Sequence, residues 1–121
     1  MKSGKSQTLR LLHLEDSDLD HVLVLAHLNR GGLKVQTTRV DSEAEFLAAL
    51  RKDWDAIISD YNLPGFSGLV ALDLLKASGR DLPFLILSGE ICEETAVEAM
   101  RNGASDYLRK SNLSRLVPAL M

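Results

Sequence analysis

The chain has 121 residues, 45% of them hydrophobic and 26% charged, with a net charge of −3 and a single cysteine. That length suits one domain with one core. The charge offers no basic field for nucleic acid, no apolar run reaches the roughly 18 residues of a membrane span, and one cysteine excludes an internal disulfide and fits a cytoplasmic protein.

Residues 1–7, MKSGKSQ, read as a flexible tail, and 8–14 as a buried strand. Ser17 to about Arg30 has the period of a helix, with Leu19, Val22, Leu23 and Ala26 as its apolar stripe and Gly31-Gly32 as its stop. Leu33 to Val40 alternates loosely, like an edge strand. Ser42-Glu43-Ala44-Glu45 is a capping-box pattern, and Phe46, Leu47 and Leu50 continue the inner face of that helix. A third strand is predicted over 54–59, a turn-rich loop over 61–68 with Pro64, Gly65 and Gly68, and a helix from about Leu69 to Ser78 closed by Gly79. A fourth strand follows at 83–87. Residues 93–102 read as a helix with Ala96, Val97 and Met100 inward, closed by Gly103, and 105–109 as a fifth strand. A last helix begins near Ser114, early enough to tolerate Pro118, and is expected to continue beyond Met121. Five β-α repeats in alternation imply an α/β protein with a parallel sheet covered by helices on both faces.

Five polar residues fall where the strands end: the pair Glu15 and Asp16, then Asp60, Ser88 and Lys110. A parallel sheet gathers the carboxyl ends of its strands at one edge, where ligands bind in open α/β folds. Three carboxylates, a hydroxyl and an ammonium therefore converge. Adjacent acids repel unless a cation lies between them, and Mg²⁺ takes oxygen ligands of this kind. An aspartate can attack phosphorus to give an aspartyl phosphate, and a lysine is a compact charge for phosphoryl oxygens. Each residue alone has a plainer use. Asp16 or Ser17 caps a helix, Asp60 caps a turn, Ser88 bonds a loop, and Lys110 is solvated. The plain readings weaken when all five share one edge. Trp54 reads as packing, His13, His21 and His27 as structural, and Cys92 as an inert thiol at the head of a helix.

These segments together resemble the receiver domain of two-component response regulators, from about Leu9 to Leu116. LHLEDS resembles the family's acidic pair, IISDYNLPGFSG its phosphoacceptor segment, FLILSGE its hydroxyl segment and DYLRK its fifth-strand segment. The resemblance implies a doubly wound, flavodoxin-like sheet of order 2-1-3-4-5. It also implies Mg²⁺-dependent transfer of a phosphoryl group to Asp60 from a phosphohistidine on a histidine kinase or histidine phosphotransfer protein. By the same resemblance, Glu15, Asp16, Asp60 and the backbone carbonyl of Asn62 serve the metal. Ser88 and Lys110 hold phosphoryl oxygens, and Ser88 and Tyr107 switch the face of helix 4, strand 5 and helix 5 toward an output domain or target protein. Asn62 and Glu90 flank the site where they tune the lifetime of the phosphate. Direct binding of nucleic acid or membrane is not expected. Where the family usually has proline after its lysine, this chain has Ser111, so a trans peptide is expected there. The alternative is a phosphorylation-independent interaction module with the same fold. A phosphohydrolase of the haloacid dehalogenase type would need an aspartate where Asn62 stands.

Overall fold

The computed structural model describes residues 8–90 and 92–121; the tail expected over 1–7 lies outside them. Five strands form one parallel sheet: β1 (Leu9–Leu14), β2 (Val35–Val40), β3 (Ala56–Asp60), β6 (Phe84–Ser88) and β7 (Asp106–Arg109). A two-residue antiparallel ribbon, β4 (Asn62–Leu63) with β5 (Phe66–Ser67), lies in the loop that leaves β3. The helices are α1 (Asp18–Arg30), α2 (Glu43–Ala49), α3 (Gly68–Ala77), α4 (Glu93–Arg101) and α5 (Leu116–Leu120). The sheet order is β2-β1-β3-β6-β7. Counting only the five long strands, this is the expected 2-1-3-4-5.

Successive strand residues face opposite sides, and each side has its own core. Leu12, Leu14, Ile57, Phe84 and Ile86 pack with Phe46 of α2 and Leu72 and Leu75 of α3. Leu11, Ile58, Leu85, Leu87 and Leu108 pack with Val24 and Leu28 of α1 and Leu116 of α5. β3 lies between the two cores with all five residues buried. Each fully buried Leu, Ile or Phe contributes about 1.5–3 kcal/mol by leaving water.

The helix starts follow their caps. Ser17 Oγ accepts from the Asp20 amide, Ser42 Oγ from the Glu45 amide and Ser67 Oγ from the Val70 amide. Glu45 reaches back one residue further than a standard capping box, to the amide of Asp41. Pro118 is the third residue of α5, in the first turn, where a helix has no acceptor for its N–H. Trp54 is buried and its indole donates to the Ala49 carbonyl, so it is a packing residue.

The facing of three helices differs from expectation. In α1, Leu19, Val22 and Leu23 are 66%, 57% and 54% exposed, Ala26 is half-buried, and the buried face is Val24 and Leu28. In α4, Val97 and Met100 are exposed, Ala96 is partly buried and Ala99 is the buried residue. In α2, Phe46 and Leu50 point in while Leu47 is exposed. In α1 and α4 the helix lies on the sheet through a narrow line of contacts, and in α4 that line is alanine, which brings the backbone close. Two strands also extend to include Asp60 and Ser88 as their last residues.

Candidate functional site

Asp60 ends β3, 8% exposed, with both neighbouring strands hydrogen-bonded to its own. Its backbone is fixed on every side. Tyr61 donates to the Leu87 carbonyl, the Ser59 hydroxyl donates to the Asp60 carbonyl, and Gly68 at the head of α3 donates to the Tyr61 carbonyl. Gly68 must be glycine: a Cβ there would stand 2.8 Å from the Asp60 carbonyl oxygen. Asp60 is thus held between β6 and the first turn of α3.

Glu15 follows β1 and is fully buried; Asp16 is exposed. One carboxylate oxygen from each of Glu15, Asp16 and Asp60 lies within 4.8 Å of the others. Oxygen donors on two neighbouring strand ends, one of them deeply buried, fit a hard divalent cation such as Mg²⁺. Burial pushes the Glu15 carboxyl up to about 7, with the Asp60 charge adding to this and Lys110 opposing it. A cation in the cluster would favour its ionised form.

Lys110 follows β7 and enters the same space. Its ammonium donates to Asp20 Oδ2 at 2.7 Å and to Asp60 Oδ2 at 3.0 Å, and it lies 2.9 Å from Glu15 Oε1 as an ion pair off the hydrogen-bond axis. Burial would lower its pKa, but the three carboxylates of Asp20, Glu15 and Asp60 around it outweigh that and hold it above the ordinary lysine value. Ser88 is buried and its hydroxyl donates to the Glu90 carbonyl at 2.5 Å. Tyr107 is buried, its ring 6.2 Å from that of Tyr61, and burial raises its pKa. Ser88, Tyr107, Tyr61, Asn62, Glu90 and Cys92 line a cavity of about 430 Å³. No cis peptide occurs among the described residues, so the Lys110–Ser111 bond is trans.

Among the residues singled out from sequence, then, Glu15, Asp16, Asp60 and Lys110 meet directly. Ser88, Tyr107, Asn62 and Glu90 form the adjoining wall. The sequence matches the response regulator receiver domain over residues 11–121. The chain belongs to that family. It is 37% identical over 106 residues to the C4-dicarboxylate transport transcriptional regulatory protein DctD of Pseudomonas aeruginosa, covering 87% of this chain and 22% of that protein. It is 33% identical over 102 residues to the cell cycle transcriptional regulator CtrA of Caulobacter vibrioides, covering 84% and 44%. The chain therefore spans less than half of the curated relatives it matches here. A structural neighbour is the receiver domain of a sensor histidine kinase from Pseudomonas aeruginosa with a magnesium ion coordinated in its active-site cleft. It has a TM-score of 0.72 and 24% identity, and the match covers 92% of this chain and 95% of that one.

Two residues of this receiver's site were missed in the sequence. Asp20, in the first turn of α1, is the nearest partner of Lys110. Arg39, in β2, donates to the Glu15 carbonyl and pairs with Asp18. The available signals were spacing and register. Asp20 lies one helical turn beyond Asp16, and Arg39 is paired with His13, two residues before Glu15. The histidines also differ in detail from a plain structural reading. His13 is fully buried and shares a 2.8 Å hydrogen bond with His21, Nδ1 to Nδ1.

Proposed function

We propose that this receiver domain accepts a phosphoryl group on Asp60 from a phosphohistidine of a partner kinase or phosphotransfer protein, and that this changes a protein-interaction face. The observation that carries the reading is the placement of the Asp60 carboxylate. It is held rigidly at the sheet edge, 3.0 Å from the Lys110 ammonium, within a group of three acids spaced for a divalent cation. A carboxylate oxygen of Asp60 bonds to phosphorus as the bond from phosphorus to the donor nitrogen breaks, and the electron pair leaves with the imidazole. Lys110 supplies fixed positive charge where the phosphoryl oxygens would lie.

Mg²⁺, held by Glu15, Asp16, Asp60 and the Asn62 carbonyl, would neutralise the acids and the charge on the phosphoryl oxygens. Ser88 would exchange its bond to the Glu90 carbonyl for one to a phosphoryl oxygen, and Tyr107, already buried beside Tyr61, would repack into the space it leaves. The surface of α4, β7 and α5 is the face that would respond, and the exposed Val97 and Met100 give it apolar contact area. The protein acts as a cytoplasmic signalling phosphoacceptor, catalysing only its own phosphorylation and slow dephosphorylation.

Incubation with Mg²⁺ and acetyl phosphate, followed by intact mass measurement, is expected to show one added phosphoryl group in the native chain and none in Asp60→Asn. No addition together with no Mg²⁺ binding would favour the interaction module that works without phosphorylation. The polar side chains of Asn62 and Glu90 admit the hydrolytic water, so the phosphate should be short-lived for the family. Replacing both by leucine is expected to lengthen its half-life roughly tenfold, the scale of excluding a positioned water. An unchanged half-life would count against any role for the two positions.

A further inference from the structure

We propose that Asp20 is a positioning residue that holds Lys110 in the resting state and competes with the phosphoryl group for it. The inference rests on the phosphoacceptor reading of Asp60. A lysine ammonium has three N–H bonds and accepts none. Three carboxylates surround that of Lys110, and Asp20 is the nearest at 2.7 Å, against 2.9 Å for Glu15 and 3.0 Å for Asp60. Two of its N–H bonds go to Asp20 and Asp60 and its remaining side faces Glu15, so a phosphoryl oxygen on Asp60 draws Lys110 at the expense of one of these contacts.

Exposure decides which one. The Glu15 side chain is 1% exposed and that of Asp60 11%, so neither has water to turn to and both stay in the buried cluster. The Asp20 side chain is 34% exposed and can return to water. Asp60 must also stay close, because it carries the phosphorus. Asp20 therefore yields, and the strength of its hold on Lys110 opposes phosphoryl retention. Its main chain is fixed independently, through the amide bonded to Ser17 Oγ, so the side chain can change without loosening the helix start.

The test uses beryllofluoride with Mg²⁺ as a phosphoryl mimic, with its affinity for the full chain read by fluorine NMR. Asp20→Asn and Asp20→Ser are expected to bind it roughly fivefold more tightly than the native chain, the scale of a partly exposed ion pair. Asp20→Glu restores a carboxylate and should return the affinity toward the native value. A merely structural role for Asp20 predicts the opposite sign: weaker binding in Asn and Ser. Equal or weaker binding in those variants, or Glu binding as tightly as Asn, would overturn the inference while leaving the phosphoacceptor reading in place. If the native chain bound no beryllofluoride, the phosphoacceptor reading would fail and the inference with it.

Discussion

Lowering the pH from about 8 to about 5 in metal-free buffer is expected to cost Glu15→Gln about 2 kcal/mol more unfolding free energy than it costs the native chain. Glu15 opposes two imidazoles, His13 and its partner His21, whose pKa burial also lowers. His13 is fully buried, and desolvation lowers its pKa from 6.5 to about 3, with the charges of His21, Lys110 and Arg39 acting in the same direction. Below 6.5 the unfolded chain takes up a proton that the folded chain refuses. Stability therefore falls with pH, by about 1.4 kcal/mol per unit.

Glu15 runs the other way. Its pKa rises from 4.5 to about 7 on folding, so as pH falls through that window the folded chain binds the proton first and gains stability. At pH 5 the His13 loss and the Glu15 gain are each about 2 kcal/mol. Removing the titrating carboxyl leaves the histidine slope bare, and adding His13→Leu should flatten it again. Urea unfolding at several pH values reads the difference directly. If the Glu15→Gln curve runs parallel to the native one, the two burials do not oppose each other.

The second large effect is expected at Gly68. Gly68→Ala should destabilise the domain by about 2 kcal/mol and slow phosphoryl uptake at Asp60. The new Cβ would meet the Asp60 carbonyl oxygen at 2.8 Å, the Tyr61 Cα at 3.3 Å and the Ser59 hydroxyl at 3.4 Å. The two nearest are backbone atoms, and the Asp60 carbonyl is also an acceptor for Ser59. Relief requires moving either α3 or the acceptor strand. Gly89→Ala is the matched control, because a Cβ there meets open space. Equal thermal midpoints for the two variants would show that α3 can shift without cost.

Most of the architecture is written in local patterns. The four apolar runs, the loose alternation of the second strand, the serine caps at 17 and 42 and the glycines closing α3 and α4 locate the elements to within a residue or two. Strand order is not local, and came only from the resemblance of whole segments. The facing of α1 was misread for a definite reason. The helix carries more apolar residues than its contact line needs, so the stripe of Leu19, Val22 and Leu23 is as regular in sequence as the buried pair Val24 and Leu28. In α4, small Ala99 lies inside while larger Val97 and Met100 are outside, which inverts a reading based on size. The acids and the lysine of the site were legible because strand ends converge by rule. Asp20 and Arg39 were not, because each reaches it as a side chain from a neighbouring element, and that reach depends on distances that no spacing encodes.

The two rims of the sheet differ in how they are held. At the rim away from Asp60, the Arg115–Asp106 and Arg80–Asp53 ion pairs stand beside several ties that end on main-chain atoms. Arg80 donates to the carbonyls of Leu50 and Lys52, Trp54 to that of Ala49, and Asp55 accepts from the Arg10 amide. Such ties depend on one side chain each and on no particular partner side chain. At the opposite rim the contacts of Lys110 run from side chain to side chain. Substitution around Lys110 can therefore change its partners while the main-chain ties at the other rim stay in place, so a single scaffold can be retuned to new signalling pairs without being rebuilt.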